Sequence, residues 1–146
     1  MKQELYENHY MGLFDLENDL VFVEVQNSDI HVDQKYFLPG NYDNPKGGTL
    51  DECITFLEQT VNISIDQSKI KYICSFDQMR PFEIQGEKFA GKRINNYFYA
   101  ISKDECSKSF DATKYKWVKT GELFKDKRQF TSGVFNNFLN NQAVNY

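Results

Sequence analysis

The segment from Thr49 to Asn62 most constrains what this chain can fold into. Thr49 is a good helix N-cap, and Glu52 three residues on completes the capping-box pattern, in which two orphan backbone N–H groups find side-chain acceptors. Leu50, Cys53, Ile54, Leu57 and Val61 follow at helical spacing and make one apolar stripe. Asn62 suits the left-handed residue that ends a helix. A helix with one apolar stripe has to bury it against another element, and the chain offers mainly extended partners. Met11–Phe14 and Leu20–Val25 are apolar, aromatic or β-branched. The turn-forming run Asp15-Leu16-Glu17-Asn18-Asp19 between them predicts a hairpin. Ile30–Val32 and Tyr36–Leu38 read as short extended pieces. Pro39–Gly48, with two Pro and three Gly, reads as a long loop. Ile70–Phe76 predicts a buried strand with Lys71 at its edge, Asp77–Arg93 a polar hairpin or loop, Asn96–Ile101 a central strand and Tyr115–Val118 a short one. Tyr97, Phe98 and Tyr99 are expected in the sheet core. Thr120 caps a short turn through Phe124, and a last helix from Thr131 to Asn141 buries Val134, Phe135 and Leu139. The order predicts an α/β (α+β) fold, a mixed sheet with helices on its faces.

Composition narrows the functional classes. With 13 Phe, 9 Tyr and 1 Trp in 146 residues, the chain has ample core material and is not of the disordered class. No apolar run approaches the roughly 18 residues of a membrane span. The first residues carry acid early and lack an apolar stretch, so no signal peptide is expected, and the expected location is cytoplasmic. The net charge of −4, from 17 basic and 21 acidic residues, speaks against duplex nucleic acid as a partner. Cys53, Cys74 and Cys106 are odd in number, far apart and not in a CxxC, which reads as reduced thiols. His9 and His31 have no metal-ligand spacing to each other or to Cys, and no nucleophile motif accompanies His9. No repeat, low-complexity block or linker divides the chain, so one domain over residues 1–146 is expected.

A further pattern lies in Phe37-Leu38-Pro39-Gly40, followed by a loop, the helix, strands, a Trp-Val strand and a closing helix. This order resembles the Nudix family over nearly the whole length. The family's signature is G-x5-E-x7-R-E-U-x-E-E-x-G-U, with U a bulky apolar residue. Aligned without a gap, with the second Gly of the family's Pro-Gly-Gly on Asn41, its first Glu falls on Gly47. Its Arg falls on Thr55, the next Glu on Phe56 and the apolar position on Leu57. The Glu pair falls on Gln59 and Thr60, the Gly on Asn62 and the last apolar position on Ile63. Both apolar positions persist, while every fixed polar position and both glycines are replaced. A shift of one residue puts Glu58 on the first Glu of the pair and recovers nothing else. The resemblance thus implies a Nudix-like mixed β-sheet sandwiched between helices, with a degenerate box that argues against the family's chemistry.

What the resemblance implies about chemistry can be set against the residues. Nudix hydrolases attack a diphosphate with water, using Mg²⁺ held by the box glutamates. Mg²⁺ demands several oxygen ligands at about 2.1 Å and stabilises charge on the phosphoryl oxygens. The helix here offers Asp51, Glu52 and Glu58. Asp51 and Glu58 share a face but stand about 10.5 Å apart along the axis, and no i, i+4 carboxylate pair exists; a solvated acidic face is the alternative reading. Phe56, off the apolar stripe where the family keeps an acid, either packs on a neighbouring loop or lines an apolar ligand pocket.

The segments 77–82 and 88–93 bring together Arg80, Phe82, Phe89, Lys92 and Arg93, cations and aromatics that suit a phosphate and a stacked base; a solvated hairpin is the plainer account. Gly48 and Thr49 at the helix start could offer N–H donors to an anion, or serve as caps alone. Lys125-Asp126-Lys127-Arg128 is a second basic cluster that also reads as a solvated turn. The first functional expectation is a Nudix-fold protein binding a nucleotide-like, nucleoside-diphosphate-type ligand without hydrolysing it, as a sensor, sponge or regulatory module, with no metal and no cofactor. The second is a Nudix-like pyrophosphohydrolase that recruits Mg²⁺ through Asp51, Glu52 and Glu58, with Glu83 or Glu87. The third is a protein-interaction scaffold. No membrane partner is expected, and the sequence is compatible with a homodimer.

Overall fold

The structure, a computed structural model, describes residues 4–27, 34–39, 49–84, 86–123 and 137–142. The expected hairpin forms from β1 (Leu5–Asp15) and β2 (Leu20–Asn27). Asp15 shapes its turn by accepting the Asn18 backbone N–H at 3.2 Å and the Asn18 side-chain amide at 2.9 Å. The chain continues through β3 (Gln34–Phe37), α1 (Leu50–Val61), β4 (Lys71–Gln78), β5 (Phe82–Ile84), β6 (Glu87–Phe89), β7 (Gly91–Ala100), β8 (Tyr115–Lys119) and α2 (Thr120–Leu123). Residues 137–142 are helical.

The main sheet runs β3-β2-β1-β7-β4, with β8 paired to β2. β1 and β7 are parallel from Leu5↔Gly91 to Phe14↔Ala100, and the other pairings are antiparallel, so the sheet is mixed. β5 and β6 form a separate small hairpin. β1 and β2 pair only at Phe14↔Val21 and Asp15↔Leu20 and then diverge. In the gap the Pro39 carbonyl accepts the Met11 N–H at 3.4 Å and the Cys53 thiol at 3.7 Å. The first turns of α1 therefore sit where the two strands part.

Strand alternation sends successive side chains to opposite faces and divides the core into two layers. On one face Cys53, Ile54, Leu57 and Val61 of α1 pack on Met11, Leu13, Phe22 and Tyr99. On the other, Phe14, Val21, Val23, Phe98 and Val118 pack with Leu123 and Leu139. β1 and β7 supply both layers. The stripe read from sequence is the buried face of α1, with Leu50 partly buried at its start. Its ends also form as expected: Thr49 Oγ1 accepts the Glu52 N–H at 3.2 Å, and Asn62 is left-handed at φ 54°.

Two strand boundaries and two burial expectations differ from the sequence reading. β1 begins at Leu5 rather than Met11, and β7 at Gly91 rather than Asn96, because each supplies the other's hydrogen-bonding partner along this whole length. The strand expected to be buried, β4, is the sheet edge, with Tyr72 55% exposed. Phe98 and Tyr99 are buried, whereas Tyr97 is partly exposed at the rim of the α1 layer. The expected strand at Ile30–Val32, the loop from Gly40 to Gly48, and Phe124, Val134, Phe135 and the 125–128 cluster lie outside the described residues. Among the described residues no helix is long and apolar enough to cross a membrane.

Candidate functional site

Once the apolar stripe of α1 is buried, its opposite side is left to solvent. An open groove of about 350 Å³ runs there, lined by Asp51, Glu52, Thr55, Phe56 and Gln59. These positions recur every third or fourth residue, so they share one helix face. Phe56 is half-buried and leans on Tyr115 of β8, with ring centroids 5.8 Å apart. Phe56 thus packs on a strand residue rather than on a loop, and it also lines the groove.

The remaining acid of α1 has a different surrounding. Glu58 Oε2 accepts the Ile65 N–H at 3.0 Å, which ties the chain after the helix back onto it, and Glu58 is not among the groove-lining residues. Thr60 turns back on its own helix, its hydroxyl donating to the Phe56 carbonyl at 2.7 Å. Asp51 and Glu52 are thus the acids of the groove. They are adjacent in sequence, about 100° apart around the helix, and no third His, Cys, Asp or Glu joins them in a metal-binding group among the described residues. Mg²⁺ is commonly held by one or two carboxylates with waters and substrate phosphates completing its shell, and this pair is the described acid set of the groove.

The hairpin β5–β6 brings a second set together. Phe82 and Phe89 stack with centroids 5.4 Å apart. Both meet Tyr6 of β1 edge to face, at 5.5 Å and 5.0 Å. Tyr6 stands opposite Lys92 in the parallel register, and Lys92 Nζ lies 4.9 Å from the Phe82 ring centre. Burial, and then the nearby Glu52 carboxylate, push the Tyr6 phenol above its ordinary value.

Lys92 and Arg93 separate, because adjacent strand residues point to opposite faces. Arg93 lies across from Asp77 and pairs with it at 2.9 Å. The hydrogen bond from Arg93 holds the Asp77 carboxyl below its usual range. Arg80 is exposed just after β4, and Glu83 and Glu87 are exposed on the hairpin. Thr49 is engaged as the α1 cap, and Gly48 lies outside the described residues. His9 Nδ1 is 3.1 Å from the Tyr97 hydroxyl, on the Arg93 side of β1. Burial lowers the His9 pKa, opposed by Glu7.

Tyr6, which the sequence reading did not single out, is the β1 residue that anchors the hairpin cluster. Tyr6, Tyr10 and Phe14 stand four residues apart and so fall on one face of an extended strand, a spacing that a helix shares and that therefore gave only a weak signal. The register that brings Tyr6 to Lys92 is a pairing between distant segments and has no local signal.

No protein-family model matches the chain, and no curated protein matches it in sequence. Its likeness is to solved structures. An Ap4A hydrolase from C. elegans, in a binary complex, is 13% identical, with TM-score 0.50 over 92% of this chain and 96% of that one. The NUDIX domain of Shewanella oneidensis NrtR, complexed with ADP ribose, is 16% identical, with TM-score 0.50 over 86% of this chain and 79% of that one. The E. coli ORF135 protein is 9% identical, with TM-score 0.50 over 84% of this chain and 79% of that one. The chain spans 44% of the length of a MutT/nudix family protein from Enterococcus faecalis, at 19% identity and TM-score 0.44 over 80% of this chain. The mixed sheet between helices is thus a Nudix fold.

Proposed function

We propose that this chain binds a nucleotide-like ligand in the groove along α1 and does not cleave it by the metal-dependent chemistry of the Nudix hydrolases. One observation carries the reading: Phe56 and Gln59 line the groove at positions where the family's signature has glutamates. A groove of about 350 Å³ is at the small end of ligand sites. Its aromatic floor favours a ring system, and Asp51, Thr55 and Gln59 supply polar contacts. The ligand class is supported by the fold alone, since the similar NUDIX domain of NrtR is complexed with ADP ribose and fold does not determine function.

The test is titration calorimetry with ADP-ribose and Ap4A, run beside an assay for product release in Mg²⁺ or Mn²⁺. The expected result is binding without turnover. Phe56→Ser is expected to weaken binding by about five- to 150-fold, as loss of a stacking partner is worth about 1–3 kcal/mol per base. Turnover on the order of 1 s⁻¹ that vanishes in a combined Asp51→Asn, Glu52→Gln variant would replace this reading with the displaced-acid hydrolase. Absence of binding to either compound would leave the interaction scaffold.

A further inference from the structure

A phenylalanine on the solvent side of a helix turns among its staggered rotamers. A ligand that stacks on it must then fix the ring, at a cost in entropy. Phe56 is held before any ligand arrives. Its ring centre lies 5.8 Å from that of Tyr115 at a 56° tilt, inside the range of about 4.5–7 Å for favourable aromatic pairs. Tyr115 is held in turn. It stacks on Phe22 with ring centres 5.7 Å apart and planes 14° from parallel, and its N–H donates to the Asp111 carbonyl at 3.0 Å. Phe22 is fully buried, with the rings of Phe110 and Trp117 against it at 5.1 Å and 5.4 Å. A series of rings thus runs from the core through β8 to the wall of the α1 groove.

We propose that Tyr115 is a positioning residue that fixes the Phe56 ring as a preformed stacking wall for the ring of the groove's ligand. This inference rests on the nucleotide-binding reading above and adds how the site is preorganised. Tyr115 is not among the described groove-lining residues. It acts through Phe56, which it touches and which lines the groove. The tyrosine ring does this, not its hydroxyl. Tyr115→Phe therefore retains the effect, and Tyr115→Leu, which keeps apolar bulk without a ring, loses it.

Two measurements on the parent, Tyr115→Phe, Tyr115→Leu and Phe56→Ser test this. The first is the NMR order parameter of the Phe56 Cζ–H bond in the ligand-free chain, its signal identified by its absence in Phe56→Ser. That bond lies on the axis of ring flips, so it reports swings of the whole ring on the fast timescale of order parameters. The second is affinity for ADP-ribose and Ap4A by calorimetry. The parent and Tyr115→Phe are expected to share one high order parameter and one affinity. In Tyr115→Leu the order parameter is expected to fall and the affinity to drop about two- to tenfold, the range for ordering one side chain. An unmoved order parameter in Tyr115→Leu, or a lowered one with unchanged affinity, would overturn the role of Tyr115. Weakened binding in Phe56→Ser would in that case keep the groove as the ligand site. Equal losses of affinity in Tyr115→Phe and Tyr115→Leu would overturn the inference by placing the effect on the hydroxyl. A Tyr115→Leu chain that does not fold would overturn it by showing that the residue supports the fold. Binding of neither compound by the parent, or binding unchanged in Phe56→Ser, would overturn the nucleotide reading of the groove and this inference with it.

Discussion

Asp15 is 3% exposed and still carries a stabilised charge. Burial pushes its carboxyl up, but hydrogen bonds from the Asn18 side chain and the backbone of Lys103, Asn18 and Glu17 outweigh that and hold it below its ordinary value. The Lys103 contact, at 3.0 Å, ties the β1–β2 turn to the segment after β7. A carboxyl with a depressed folded pKa contributes stability that is complete above the unfolded value of about 3.9. That contribution is lost as pH falls through the folded value. Asp15→Asn is expected to cost about 1–3 kcal/mol at pH 7, with the gap to the parent narrowing below about pH 4. Denaturant melts at pH 7 and pH 3 decide this; a gap of equal size at both would show that the donors do not depend on the charge. Glu58 makes a parallel case. Its bond to the Ile65 N–H implies that Glu58→Ala costs about 1–3 kcal/mol, while Glu58→Gln, which keeps an acceptor, costs less. Calorimetry on Glu58→Gln is expected to give unchanged ligand affinity, because the side chain does not line the groove.

At the scale of elements, α1 was legible from end to end because everything that defines it is local. Its cap, stripe and left-handed terminus are all set by residues within a few positions of one another. Leu57 sits at the centre of that stripe and is fully buried, so Leu57→Ala is expected to cost about 2–5 kcal/mol in a thermal or denaturant melt. The strands were legible as segments but not as partners. Nothing local tells Lys92 from Arg93, yet the parallel pairing of β1 with β7 turns one toward Tyr6 and Phe82 and the other toward Asp77. The site was therefore read as one convergent basic patch where the sheet makes two faces. Gly91 shows how closely β7 and β4 approach. A Cβ there would run into the Gln78 carbonyl and lie 3.0 Å from Met79 Cα. Backbone cannot rotate away as a side chain can, so Gly91→Ala is expected to cost about 1–3 kcal/mol. A melt identical to the parent's would mean that the β4 edge shifts freely.

At the scale of the whole molecule, both core layers hang on the same three strands, β1, β2 and β7, so α1 cannot leave without uncovering Met11, Leu13 and Tyr99. The faces of one sheet are then expected to unfold together, and the thiols report on it. Cys53 is on the buried face of α1 and Cys106 belongs to the same layer, and burial pushes their thiols up to about 12 and about 11. Cys74 packs at the margin of the opposite layer and is half-buried. Only the thiolate reacts, so Cys53 labels at neutral pH when an opening exposes it to water. When reclosing is faster than labelling, the labelling rate gives the free energy of that opening. For Cys53 this value is expected to equal the global unfolding free energy from denaturant melts. Leu57→Ala is expected to lower both by the same amount. An opening energy for Cys53 well below the global value would show α1 detaching while Phe14, Phe98 and Val118 stay packed on the other face. The groove on α1 would then sit on a layer that moves independently of the sheet.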